Sequence, residues 1–340
     1  MMPQMDKAVL IDAYSQIFRS FYAIRALTDP QGRPVNALFV FTKLLLCIEK
    51  EHPCPTGAML FDCGKVSFRL AVAPGYKANR PPMPDELRQQ MPAIREMAAA
   101  FGWPLLSAEN YEADDLIGGF ARALPGEVLI VTSDKDLSQL VDDRISILVP
   151  AKGSAGGFAL RRKEEVVEKF GVGPELVADY LALVGDTADN IPGVPGIGPK
   201  SAAALLNEYG PVEGWIDRLE KLDGSRFAAK LAGQERRLRD NLVLVRLKTT
   251  LPDEFADVPG TLARRPPDWE KIAALCREHA FNGILKTLPL PAAREPEPEE
   301  PAAAEEPDLF SALMSPVPEK SEKPAPPAEE EDLPIQGTLF

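Results

Sequence analysis

Three short apolar runs in the first half of the chain each end in aspartate: AVLID at 8–12, AMLFD at 58–62 and VLIVTSDKD at 128–136. Hydrophobicity that is continuous rather than alternating suits strands of a parallel sheet covered on both faces. Helices are predicted between these runs, at about 35–50, 85–101 and 113–124. Such alternation implies an α/β, doubly wound, mostly parallel sheet, in which ligands gather at the carboxyl ends of the strands. That edge would present Asp12, Asp62, Asp134 and Asp136 together. From about 165 the pattern turns helical, with segments at 164–170, 174–184 and 200–209 and further pieces to about 288. The turn NIPGVPGIGPK at 190–200 interrupts them. The chain therefore divides into an α/β domain at 1–165, a helical domain at 166–290 and a proline- and glutamate-rich tail at 291–340, which is expected to be disordered.

Charge changes this picture only after it is placed. The net charge is −13, but residues 291–340 hold 13 Asp+Glu against 3 Lys+Arg, leaving −3 for residues 1–290. An acidic total is thus weak evidence against a nucleic-acid partner, because metals bound among the carboxylates would leave the body cationic. The four cysteines form no CxxC pair, which suits a reducing cytosol and argues against structural zinc. Two histidines, His52 and His279, make a histidine triad or zinc-hydrolase site improbable and read as ordinary surface or helix-end residues. No signal segment is evident, and the longest apolar stretch, Ala37 to Ile48, reads as a buried helix too short to span a bilayer. A soluble, cytoplasmic monomer without a membrane partner is expected.

More carboxylates join the strand ends. YEADD at 111–115 supplies Glu112, Asp114 and Asp115 at a helix start, and GDTADN at 185–190 supplies Asp186 and Asp189, spaced to share one helical face. The bland readings are helix capping, complementation of the helix dipole and a capped helix end. They explain single acids but not the recurrence of acidic segments beside acidic strand ends. Like charges this dense repel and raise each other's pKa unless hard cations lie among them. Oxygen-only ligation favours Mg²⁺ or Mn²⁺ over Zn²⁺. Two such ions suit in-line hydrolysis of a phosphodiester.

The order of Asp12 in LIDAYSQIFR, Asp62 in LFDCGKVSFR, YEADD, TSDKD and GDTADN resembles the bacterial 5′ nuclease family over about residues 6–290. That family comprises the 5′–3′ exonuclease domain of DNA polymerase I, phage 5′ exonucleases and the flap endonucleases. The resemblance implies a PIN-like catalytic domain followed by a helix–three-turn–helix DNA-binding domain. It implies a stand-alone, nucleoid-associated two-metal 5′–3′ exonuclease and flap endonuclease acting on DNA with 5′ flaps, nicks or RNA primers. Asp12, Asp62, Glu112, Asp114, Asp134 and Asp136 would surround one metal, and Asp115, Asp186 and Asp189 would complete the second. Lys77 and Arg80 in GYKANR, with Tyr76 beside them, match an arch whose cations contact the scissile phosphate, and Arg19 matches a substrate-contacting arginine. Three apart, Lys77 and Arg80 would share a face if helical, although Pro81, Pro82 and Pro84 suggest an arch only partly helical without substrate.

Gly193, Gly196 and Gly198 precede a helix beginning near Lys200, an arrangement that lets backbone amides approach phosphate. By resemblance this turn grips the duplex and holds a monovalent cation such as K⁺. The chain ends in QGTLF, where Gln336, Leu339 and Phe340 have the spacing of a sliding-clamp-binding peptide. Two rival readings are a catalytically silent DNA- and clamp-binding scaffold and a PIN-type ribonuclease. The complete acid set counts against the first, and the GVPGIGPK turn with its long helical domain against the second.

Overall fold

The computed structural model describes residues 7–64, 66–150 and 157–290. The 291–340 tail, and with it the clamp-like peptide, lies outside them. Strands β1 (Lys7–Asp12), β2 (Gly57–Leu60), β3 (Leu105–Leu106), β4 (Glu127–Val131), β5 (Ile145–Pro150) and β6 (Phe158–Arg161) form one sheet in the order β3-β2-β1-β4-β5-β6. All neighbours are parallel except the β5–β6 edge pair. β1 is central, with Asp12 opposite Leu60 of β2 and Ile11 opposite Val131 of β4. This register brings the acidic segments that follow the three strands to one edge.

The continuous apolar runs are explained by burial on both faces. Leu10, Leu60 and Ile130 enter one core, while their neighbours Ile11, Met59 and Val131 enter the other. Successive residues of a strand point to opposite faces, so a strand covered twice has no polar position to spare. The second core takes α1 (Ala13–Ala23), α2 (Asn36–Glu51) and α4 (Asp85–Ala100), and the first takes α5 (Ala113–Ala123). The stretch 37–48 is indeed a buried helix within α2. The short α3 (Ser67–Val72) leads from β2 towards the GYKANR segment.

The helical half comprises α6 (Lys163–Phe170), α7 (Val177–Val184), α8 (Pro199–Tyr209), α9 (Ala228–Leu231) and α10 (Glu235–Val245), with a small hairpin of β7 (Gly185–Asp186) and β8 (Ile191–Pro192). Its apolar residues are continuous with the first core, so the halves are packed together. The sequence assigns everything to 290 to this half, whereas the structure returns the last part to the sheet. α11 (Val258–Thr261) ends where Ala263 bridges Thr56, and α12 (Trp269–Glu278) and α13 (Asn282–Leu285) join the second core. Phe281 meets Phe39 edge-on at 5.1 Å. Their apolar residues find the uncovered side of α2 and α4, a long-range match that local periodicity does not reveal.

Candidate metal and nucleic-acid site

Asp12 closes β1 and caps α1, accepting from the Ser15 amide at 3.2 Å and from the Thr132 hydroxyl at 2.7 Å. Asp62 lies two residues beyond β2 and accepts from the Ala113 amide at 2.7 Å, which joins the second acidic segment to the third. Asp134 accepts from the Asp136 amide at 2.8 Å in the turn after β4. Asp12, Asp62, Asp114 and Asp134 line one cleft of about 540 Å³ together with Lys77 and Arg80. Strand ends, a helix start and a basic turn thus converge, as the sequence pattern predicts. Ser15 also lines the cleft, and half-buried Arg19 follows it by one turn on the same face of α1.

Electrostatics in the cleft are strained in one direction. Burial pushes Asp12 up to about 7, with Asp134 and Asp62 adding repulsion against the Thr132 hydrogen bond. Burial also pushes Asp136 up to about 8, helped by the charge of Asp134. Asp114 rises well above the usual carboxylate range, through burial and then the charges of Asp12 and Asp134. The Oδ1 atom of Asp136 is buried without a hydrogen-bond partner. Lys77 beside Asp114 and Lys135 beside Asp136 act in the opposite direction but do not offset burial and repulsion.

The other acids are already paired. Arg69, 1% exposed, contacts both oxygens of Asp115 at 2.7 Å and Glu112 at 3.0 Å, and it donates to the carbonyls of Leu244 and Arg246. Asp115 further accepts from the amides of Glu112 and Lys248, so four donors occupy its two oxygens. The structure therefore does not bring Asp115 into the cleft with the other carboxylates. Glu112 also accepts from Lys77 at 2.8 Å and from the Tyr76 hydroxyl at 3.1 Å. Both bland and sharp readings apply to Glu112, since it and Asp115 form a capping box on α5.

Asp186 and Asp189 correct an expectation. The helix stops at Val184, and both acids sit on the β7–β8 hairpin rather than on one helical face. Gly185 and Gly193 pack too closely for the helix to continue: a Cβ on Gly185 would lie 2.3 Å from the Gly193 amide, and one on Gly193 2.1 Å from the Val184 carbonyl. Asp186 pairs with Lys135 at 2.7 Å, whereas Asp189 pairs with Arg80 and approaches Lys77 at 3.9 Å. Lys77 and Arg80 likewise lie in a turn, not a helix, and Lys77 adopts φ +55°. They converge through Asp189 instead.

In the glycine-rich turn, Gly196 has φ +78° and its carbonyl accepts from Lys230 at 2.8 Å, while the Gly193 carbonyl accepts from Arg237 at 3.4 Å. Gly198, with open space around its α-carbon, caps α8, and Lys200 is exposed in the first turn. Gly193 is thus needed for backbone packing, while Gly198 and Lys200 face solvent.

Residues 7–171 match the 5′-3′ exonuclease, N-terminal resolvase-like domain, and residues 172–270 match the 5′-3′ exonuclease, C-terminal SAM fold. A 5′-3′ exonuclease of Aquifex aeolicus is 34% identical over 287 residues, which are 84% of this chain and 96% of that protein. The chain belongs to the 5′-3′ exonuclease family. DNA polymerase I of Pseudomonas aeruginosa is 38% identical over 288 residues, 82% of this chain, and the match spans 31% of that longer protein. Among solved structures, T5 5′-exonuclease with bound divalent metal ions (zinc) superposes with a TM-score of 0.59 at 22% identity, covering 81% of this chain and 98% of that one. This likeness shows the shared fold, a mostly parallel α/β sheet with a helical second half.

Within this exonuclease-family fold, sequence reasoning overlooked two cations. Arg69 closes the LFDCGKVSFR segment and Lys135 stands between the acids of TSDKD, so both were in view. Nothing local signals that Arg69 is buried, because its partners lie up to 177 residues away. The two histidines are helix-end residues, as expected: His52 caps α2 and His279 caps α12 beside Asp29. No described helix is long and apolar enough to cross a membrane.

Proposed function

We propose that this chain hydrolyses phosphodiester bonds of DNA at 5′ ends and 5′ flaps, using divalent metal ions. The observation that carries the reading is the cleft that gathers Asp12, Asp62, Asp114 and Asp134 with Lys77 and Arg80, Asp12 and Asp114 being raised by burial and by neighbouring acids. The donor set fits hard cations. It is all oxygen, three of its acids are raised by burial and mutual repulsion, and the Asp136 Oδ1 atom lacks a partner. Among the described residues no three acidic, histidine or cysteine side chains stand ready to hold an ion unaided. Asp12, Asp62, Glu112, Asp114, Asp134 and Asp136 would hold one Mg²⁺ or Mn²⁺, directly or through water, and Asp186 and Asp189 a second. When bound, the ions would supply an activated water and neutralise charge developing on the phosphate.

The chain's own residues do the rest. Lys77 and Arg80 neutralise and orient the scissile phosphate, exchanging their contacts with Glu112 and Asp189 for phosphate oxygens. Tyr76 stays protonated, since burial and the nearby Glu112 and Asp189 charges raise its pKa, and it steadies Glu112 from below. Arg19 holds an adjacent phosphate. Asp115, saturated by Arg69 and two amides, orients Glu112 and the start of α5 rather than a metal. Gly198 and Lys200 at the start of α8 grip the duplex backbone, with K⁺ a candidate ion beside the turn. Flaps, nicks and RNA primers on DNA are the proposed substrates, and Gln336, Leu339 and Phe340 the proposed sliding-clamp contacts, which would place the enzyme at the nucleoid.

A labelled 5′-flap duplex tests the reading. Asp134→Ala should bind it but cleave it slower by on the order of a thousandfold in Mg²⁺. Full activity in that variant would overturn the metal assignment.

A further inference from the structure

Apart from Lys77 and Arg80, a second group of cations lies beside the acids, with Lys169 near enough to Arg161, Lys135, Asp134 and Asp136 to feel their charges. Arg161 ends the edge strand β6 and reaches the Ser138 hydroxyl at 3.5 Å, two residues past Asp136. Lys169 lies in the last turn of α6, with its ammonium 5.2 Å from the centre of the Phe170 ring. Lys135 completes the group from the turn after β4. Among the described residues, Lys135 alone of the three has an ion-pair partner, Asp186; neither Arg161 nor Lys169 meets a carboxylate within 4.0 Å.

That arrangement is unusual for this surface. Most cations near the cleft are matched: Lys77 with Glu112, Arg80 with Asp189, Arg69 with Asp115 and, further out, Lys163 with Asp143. Burial and the charges of Arg161 and Lys135 lower Lys169 to about 8, against weaker help from Asp134 and Asp136. Burial lowers Arg161 as well. A cluster of like charges in partly desolvated positions is relieved by an ion of opposite sign, which is the reasoning applied to the acids with the sign reversed.

We propose that Arg161 and Lys169, with Lys135, form a phosphate-binding bank for the nucleic-acid strand entering or leaving the acidic cleft. The inference rests on the DNA-cleaving reading above and adds the site of a non-scissile phosphate. The ligand is a backbone phosphodiester: the guanidinium offers a planar fork and the ammonium a point charge, both suited to phosphate oxygens. With Lys77 and Arg80 lining the cleft itself, the strand would be held at a second point beside the acids that face the bond to be cut.

Binding and turnover of a fluorescein-labelled 5′-flap duplex separate the possibilities. Lys169→Gln, which removes the charge and keeps a polar side chain, and the Arg161→Ala/Lys169→Gln pair are compared with wild type and with Lys163→Ala, each checked for an unchanged melting temperature. The double variant should raise KM about tenfold with kcat within about twofold, and should flatten the dependence of log Kd on log salt by about one to two. Lys163→Ala, whose cation is already paired with Asp143, should match wild type. Unchanged KM and salt slope in both bank variants would sink the proposal, and so would a fall in kcat alone, which would mean that the bank tunes the acids instead. Should wild type neither bind nor cut the duplex, the nuclease reading fails first and the bank falls with it.

Discussion

Arg69 and Asp115 show how one buried residue pair can serve architecture beside an acidic cleft. Removing one partner of a buried ion pair leaves the other uncompensated, at a cost of about 3–5 kcal/mol. Arg69→Ala is accordingly expected to destabilise the protein by about that amount in urea unfolding. Asp115→Asn should also destabilise it while leaving the Mg²⁺ concentration for half-maximal cleavage within about twofold. A large rise in that concentration would return Asp115 to the metal ligands. Acidity offers a second test. Asp12 and Asp136 are raised from 3.8 to about 7 and about 8, so the folded protein holds more protons than the unfolded chain across that interval. Their contribution to stability therefore falls as pH rises from about 4 to 8 in the absence of metal. Added Mg²⁺ should raise the melting temperature more at pH 8 than at pH 5, as read by differential scanning fluorimetry in EDTA and in Mg²⁺. An equal shift at both values would show that the ion does not neutralise these carboxyls.

At the scale of elements, the three aspartate-ending strands and the long helices between them were legible because burial on both faces writes itself as continuous hydrophobicity. The helix α1 was hidden behind Asp12, whose capping role begins it immediately after the strand. β3 has two residues, too few to leave a period, and β6 is a short edge strand. Acid identities were readable from spacing, but their partners were not, since pairing depends on contacts far apart in sequence. The β7–β8 hairpin is the clearest case: the helix ends at Val184 before Gly185 at φ +79°, and the close approach of Gly193 that puts Asp186 and Asp189 on a hairpin rather than a helical face leaves no local period. Gly193→Ala would force backbone against backbone, so it should displace Asp186 and Asp189 together. A fall of at least tenfold in kcat with a smaller change in DNA affinity is expected from single-turnover cleavage and anisotropy. Buried Asn241, which donates at 2.8 Å to the carbonyls of Ala182 and Pro192, braces the same hairpin from α10.

Across the whole molecule, the two halves share a core, so the glycine-rich turn and the acids are carried on one packed body. The tail stands apart from this. If QGTLF recruits the enzyme, purified clamp should retain the full chain and lose a variant lacking 336–340, while both cut the flap duplex at the same rate. Equal retention would remove the clamp from its partners. The return of α12 and α13 to the sheet carries a consequence for synthesis. Ile272, Phe281 and Ile284 complete a core begun by Val9 and Ile11, so the beginning of the chain waits for nearly the last described helix. Contacts across such separations close late and slowly. A nascent chain is thus expected to expose its strand-end acids until Ile284 in the last described helix is available to seal the sheet behind them, which protease sensitivity of chains truncated before and after residue 285 would check.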